Sequence, residues 1–272
     1  MGGNGTFGPG AVIGALSSLP RVLAALITSL VVGAAAPPSA FTCEAVSGAP
    51  LQGAPITVRD RFRSQKVRAL QIAQICRPAV LGAGRAPSSA VRLSCYAIDP
   101  KRALSRSLTV ENAFGRQTLA LIRSDSVCTP ARSGPTAQPL VRAGPATKLF
   151  DHLACYAAAP GTFATRRATV SDGVLRRARL TVLRPASLCV SAELRHGRTV
   201  FLRRLPSLLL ACFAVSPVRT TPTPLLVLDS LGLFEVHVGA PARLCLASTE
   251  AVVPPPPPPP RPPPPPPPPP PG

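Results

Sequence analysis

Eight cysteines, Cys43, Cys76, Cys95, Cys128, Cys155, Cys189, Cys212 and Cys245, fall in a rhythm that limits how this chain can fold. Taken two at a time they are 33, 33, 34 and 33 positions apart, while the gaps between the pairs are 19, 27 and 23. Constant spacing inside a pair and variable spacing between pairs is what a duplicated unit with loop-like connectors gives. The chain therefore reads as four tandem copies of one small module.

Other residues keep the same register. Two positions before each first cysteine stands Phe41, Leu93, Leu153 or Leu210, and one position after it Glu44, Tyr96, Tyr156 or Phe213. Seventeen positions after it stands Asp60, Asn112, Asp172 or Asp229, and two residues later Phe62, Phe114, Val174 or Leu231. The residue before each second cysteine is aliphatic: Ile75, Val127, Leu188, Leu244. So many coincidences in one register argue against chance and against a spurious reading frame in a chain rich in Ala, Pro and Arg.

A unit of about 38 residues cannot bury enough surface to be stable alone. Closing a loop of this length with a disulfide contributes roughly 3–4 kcal/mol in the chain-entropy model. The N-terminal segment favours such bonds. Arg21 is the only charge before the repeats, followed by an apolar run from Val22 to Val32 and small residues to Ala40. This suits a secretory signal over residues 1–40, cut after Ala40, better than a spanning helix, so no transmembrane span is expected once it is removed. Export with an even cysteine count makes disulfides the default. The spacing favours Cys43–Cys76, Cys95–Cys128, Cys155–Cys189 and Cys212–Cys245, with pairing between neighbouring units as the rival. No C-x-x-C pair occurs and the histidines lack metal-ligand spacing, so neither a metal nor a cofactor is expected.

Within a unit the pattern is β. Val91 to Ile98 carries apolar residues on alternate positions, as a half-buried strand requires, and Asp99-Pro100 breaks it. Ser107 to Glu111 gives a second strand, Asn112 to Gly115 a turn, and Thr118 to Ile122 a third strand matched by Lys66 to Ile72, Ala178 to Leu183 and Phe234 to Val238. The fold class is all-β, with three or four strands per unit and about twelve to sixteen strands in all. Barrel, sandwich and beads on a string all remain open. The units span about 41–79, 93–131, 153–192 and 210–248 within a 41–250 repeat region. Residues 251–272 form a tail with seventeen prolines between Pro254 and Pro271, which predicts an extended polyproline II conformation.

The pattern resembles a module of secreted bacterial proteins that is known only as a domain of unknown function. That module runs Leu-x-Cys-Tyr, then Val-x-Asp-x-Phe-Gly, a Val-x-Val strand and Leu-Cys-x-Pro. Its counterparts here are Leu93, Cys95, Tyr96, Val110, Asn112, Phe114, Gly115, Cys128 and Pro130, and in the third unit Leu153, Cys155, Tyr156, Val170, Asp172, Leu188 and Cys189. The resemblance covers about residues 41–248. It implies architecture and a secreted or cell-envelope location, and brings no chemistry.

No nucleophile–histidine–carboxylate arrangement is visible. His152, His196 and His237 do not recur between units and read as ordinary surface histidines. The recurring Asp60, Asp172 and Asp229 stand without a second carboxylate, so they read as turn formers rather than calcium ligands. Charge gives the one functional hint. The net charge is +19 and only three of thirty basic residues are Lys. Arg166, Arg167, Arg176, Arg177, Arg179 and Arg184 crowd the third unit, and such density attracts polyanions. Scarce aromatics argue against specific nucleic-acid recognition.

The expectation is an exported structural or surface-interaction repeat protein, not an enzyme, whose partner is unknown. The alternative is a surface protein that binds acidic polysaccharide or another extracellular polyanion through the arginine-rich third unit. An enzyme of unknown class is the third reading.

Overall fold

The computed structural model describes residues 38–251, apart from 49, 52, 83, 85–90, 137–149, 160–161 and 219. The polyproline tail and nearly all of the expected signal segment lie outside the described residues. No helix among the described residues is long and apolar enough to cross a membrane.

Each unit folds into the same three strands. The first contributes β1 (Ala40–Gly48), β2 (Ala54–Arg59) and β3 (Ser64–Leu81); the second β4 (Val91–Asp99), β5 (Ala103–Asn112) and β6 (Gly115–Gly134). The third contributes β7 (His152–Ala158), β8 (Arg166–Ser171) and β9 (Ala178–His196), extended by the short β10 (Thr199–Phe201). The fourth contributes β11 (Leu209–Val215), β12 (Thr223–Leu228) and β13 (Leu233–Glu250). The third strand expected from sequence and the segment around the second cysteine are one strand of 18 to 20 residues in every unit. Register shifts fall near the middle of each long strand, for instance between Ile72 and Gln74 and between Ser124 and Ser126. Such a bulge bends a strand without ending it. Its first half belongs to a hairpin and its second half to a ring.

The ring answers the question of arrangement. Antiparallel pairing runs β1–β3–β4–β6–β7–β9–β11–β13 and returns from β13 to β1. Inside a unit the two cysteines face each other in register. At each seam between units the register slips by two: Gln74 faces Cys95, Ser126 faces Cys155, Ser187 faces Cys212 and Arg243 faces Cys43. The same stagger at all four seams tilts the strands and lets an eight-stranded sheet close. The remaining strands hang from this ring as hairpins, so the whole is not an even barrel.

The hairpins interlock the units. β2 pairs with the far end of β9, β8 with β3, β5 with β13 and β12 with β6. Each unit therefore docks its hairpin on the unit two places along. Units are not beads on a string.

Alternation then sorts side chains between two cores. Phe41, Leu93, Leu153 and Leu210 share the inner face with the eight cysteines and form one apolar cluster. Free space among these residues is only about 10 Å³, about the least that a single water needs. Ile75, Val127, Leu188 and Leu244 turn to the opposite face, under the hairpins, and are completely buried with Val58, Val110, Val170 and Val227. Ring strands are thus buried on both faces.

The expected cut after Ala40 falls within β1. Ala40 is fully buried and pairs with both Ala79 and Leu246, so such a cut would remove the first residue of that strand.

Candidate functional site

All four intra-unit disulfides expected from the spacing are present: Cys43–Cys76, Cys95–Cys128, Cys155–Cys189 and Cys212–Cys245. Sequence reasoning did not foresee that they form one belt inside the ring. Sγ of Cys43 lies 3.6 Å from that of Cys245, Cys76 lies 3.8 Å from Cys95, and Cys128 lies 3.6 Å from Cys155. Cys128, Cys155 and Cys189 are close enough together to share a metal ion. As disulfide sulfurs they are not the thiolates that zinc binds.

The recurring aspartates form turns, as expected. Asp60 Oδ1 accepts the backbone N–H of Phe62 at 2.6 Å, Asp172 Oδ1 those of Val174 and Leu175, Asp229 Oδ1 that of Leu231, and Asn112 Oδ1 that of Phe114. Each turn residue also has a second, long-range bond. Tyr156 donates to Asp60 Oδ2 at 2.6 Å and Tyr96 to Asp229 Oδ2 at 2.6 Å. Ser94 and Thr129 donate to the same Asp229 oxygen, and Thr42 donates to Asp172. Asn112 Nδ2 donates to Ser248 Oγ at 3.2 Å. Every bond joins units two places apart, so it bolts a hairpin tip to the ring. Burial raises the carboxyls of Asp60 and Asp229 above the usual range, although their donors pull the other way. Burial and the facing carboxylate together push the Tyr96 and Tyr156 hydroxyls up.

In the first unit Glu44 stands where the second and third have Tyr. Its carboxylate pairs with the buried Arg77, and Asp172 and Arg92 act on it electrostatically. Burial pushes Glu44 up to about 7; Asp172 adds to this, while Arg77 and Arg92 oppose it. Burial, helped by Arg77, brings Arg92 down to about 10. Glu44 is only 4% exposed, so the cluster holds charge within the wall rather than presenting it to a substrate.

The six arginines of the third unit are all exposed. Arg166 and Arg167 lie on β8, Arg179 and Arg184 on β9, and Arg176 and Arg177 in the turn between them. The extra residue of this unit is absorbed here, with Arg177 at φ 53°. Thr169 faces Arg179 and Arg167 faces Thr181, which makes Arg167 and Arg179 diagonal neighbours on the outward face. The Arg166 guanidinium instead sits over the Phe163 ring at 5.9 Å. None of the six forms an ion pair with a carboxylate among the described residues.

One histidine differs from expectation. His152 is buried, not a surface residue, because it opens β7 beneath Phe201, with ring centroids 4.8 Å apart. Burial lowers it to about 4, so it is neutral in the fold. Its Nε2 lies 3.3 Å from Ser230 Oγ, the first half of a nucleophile–base pair. The third member is diverted. Asp151 instead accepts from Ser191 Oγ and from the backbone N–H groups of Arg204 and Leu205, so it anchors a loop rather than orienting the imidazole.

No family model matches the chain, and no curated protein or solved structure matches it either.

Proposed function

We propose that this is an exported structural or surface-interaction protein that works without catalysis. The observation that carries this reading is the belt of eight oxidised cysteines filling the ring. Disulfides persist in oxidising compartments such as the cell exterior and the bacterial periplasm. The turn aspartates and their hydroxyl donors are also engaged in holding units together. Non-reducing peptide mapping by mass spectrometry on protein from an exporting bacterial host tests it. The four intra-unit pairs and a new N-terminus just before β1 are the expected result. Free thiols with an intact Met1 would remove the extracellular reading.

A second reading, polyanion binding through the third unit, is favoured by the exposed and unpaired state of Arg166, Arg167, Arg176, Arg177, Arg179 and Arg184. It predicts heparin binding that weakens with salt and is lost on replacing Arg176, Arg177 and Arg179 by Ala. Unchanged binding in that variant would refute it.

A further inference from the structure

We propose a binding cleft for an acidic saccharide between the first two units, away from the third-unit arginines. It lies between the tip of the β2–β3 hairpin and the start of β5. Phe62, Arg63, Ser64, Gln65 and Lys66 form one side; Arg102, Leu104 and Arg106 form the other. The cleft volume is about 550 Å³, within the range of small-ligand sites.

Four cations line this cleft and no carboxylate does. The neighbouring charges show that this is not the local rule. Arg61 pairs with Glu250 at 2.6 Å and Lys101 with Asp125 at 3.3 Å. The side chains of Lys66, Arg102 and Arg106 form no ion pair among the described residues. Arg63 is held in place, because its guanidinium donates to the Ala103 carbonyl across the cleft at 2.7 Å. Cations gathered this way repel one another and favour an oxyanion between them.

The wall also selects the rest of the ligand. Four cations spread around about 550 Å³ call for a ligand larger than one inorganic oxyanion, with acidic groups spaced along it, as an acidic saccharide has. Leu104, half-buried at the start of β5, adds apolar surface for the C–H face of a ring. Stacking of a nucleobase on Phe62 is disfavoured, since its ring meets Tyr156 edge-on at 5.3 Å and Arg61 covers it at 5.5 Å. The assignment extends the surface-interaction reading but does not depend on the third-unit arginines.

Calorimetric titration at low ionic strength tests it, on the whole protein with its disulfides formed. The probes are a heparin-derived hexasaccharide, a galacturonate hexamer, inorganic phosphate and a single-stranded DNA oligomer. The expected result is saccharide binding that Arg102→Ala/Arg106→Ala weakens about tenfold or more, while Arg176→Ala/Arg177→Ala/Arg179→Ala changes it less than about twofold. Arg102, Arg106, Arg176, Arg177 and Arg179 are all exposed, and an unchanged melting temperature confirms that the variants fold. Galacturonate binding as tight as that of the heparin fragment identifies carboxylate as sufficient, and a preference for the heparin fragment identifies a contribution from its sulfates. Equal weakening by both variants would overturn the cleft in favour of diffuse attraction. Weakening by the third-unit variant alone would overturn it and leave the polyanion reading standing. Absence of saccharide binding would overturn both, and tighter binding of phosphate or DNA than of either saccharide would overturn the ligand class.

Discussion

At the scale of single residues, the second role of each turn aspartate is the informative detail. Tyr96 meets Asp229 and Tyr156 meets Asp60, whereas Asn112 stands in the unit whose partner position holds Phe213. In that pair both the hydroxyl and the carboxylate are missing, whereas Asp172, whose partner position holds Glu44, keeps its carboxylate and takes the Thr42 hydroxyl instead. Tyr156→Phe should therefore destabilise the fold by roughly 1–3 kcal/mol, because it strips a donor from a buried carboxylate. Asp60→Asn added to it should recover part of that loss, and a double-mutant cycle by urea denaturation measures the coupling. Additive losses would break the account. Titration provides a second test. Glu44 is raised to about 7, so its contribution to stability is complete below its unfolded value near 4.5 and falls as pH rises to 7; the raised Asp60 and Asp229 act in the same direction. His152 is lowered to about 4, so its contribution is complete above its unfolded value near 6.5 and is lost as pH falls toward 4. The two slopes oppose each other across the mildly acidic range. Replacing His152 by Phe should expose the falling limb, with stability dropping by roughly 2–4 kcal/mol between pH 4.5 and 7.5. A flat profile in that variant would contradict the burial of Glu44.

At the scale of strands, the belt makes neighbouring disulfides chemically adjacent. Cys43→Ser would leave Cys76 with a thiol whose sulfur lies 3.8 Å from Cys95. Attack by the Cys76 thiolate on Cys95 forms a Cys76–Cys95 bond and releases Cys128 as thiolate. Cys128 lies in turn 3.6 Å from Cys155. The free thiol should migrate along the belt, and peptide mapping should find inter-unit pairs mixed with the original ones. A thiol found only at Cys76 would show that the ring holds its sulfurs too rigidly for exchange. This adjacency was only half legible in the sequence. Pairing within a unit followed from the 33-residue spacing, which is local. The seams were not, because the two-residue slip at Gln74–Cys95 depends on strands whose connectors have no fixed length. The long strands were misjudged for a related reason: a bulge near Ile72 interrupts the period-2 pattern as a turn would. The cross-docking of hairpins did leave a mark, the parallel change of Tyr to Phe and Asp to Asn two units apart, but within one chain it is seen only when units are compared in opposite pairs. The cleft left none, since Lys66 and Arg106 are remote in sequence and unremarkable among thirty basic residues.

At the scale of the whole molecule, reciprocal docking of units one with three and two with four predicts cooperativity. Linear repeat arrays gain stability unit by unit because each touches only its neighbours. Here a fragment of residues 38–135 would lack the strands onto which β2 and β5 dock, and it should remain largely unfolded by circular dichroism even with both of its disulfides formed. The intact protein should unfold in one transition, with calorimetric and van't Hoff enthalpies in agreement. A folded half, or four separate transitions, would contradict the interlocked arrangement. Closure of the ring has a further consequence. The β13–β1 seam is built like the other three, and Ala247 N–H donates to the Ser39 carbonyl there at 2.9 Å. The order in which the chain visits the units is thus separable from the shape that they make together. A short linker from Glu250 to Ser39, with the chain reopened between β6 and β7, should yield a protein that begins with the third unit, ends with the second, and encloses the same belt of sulfur.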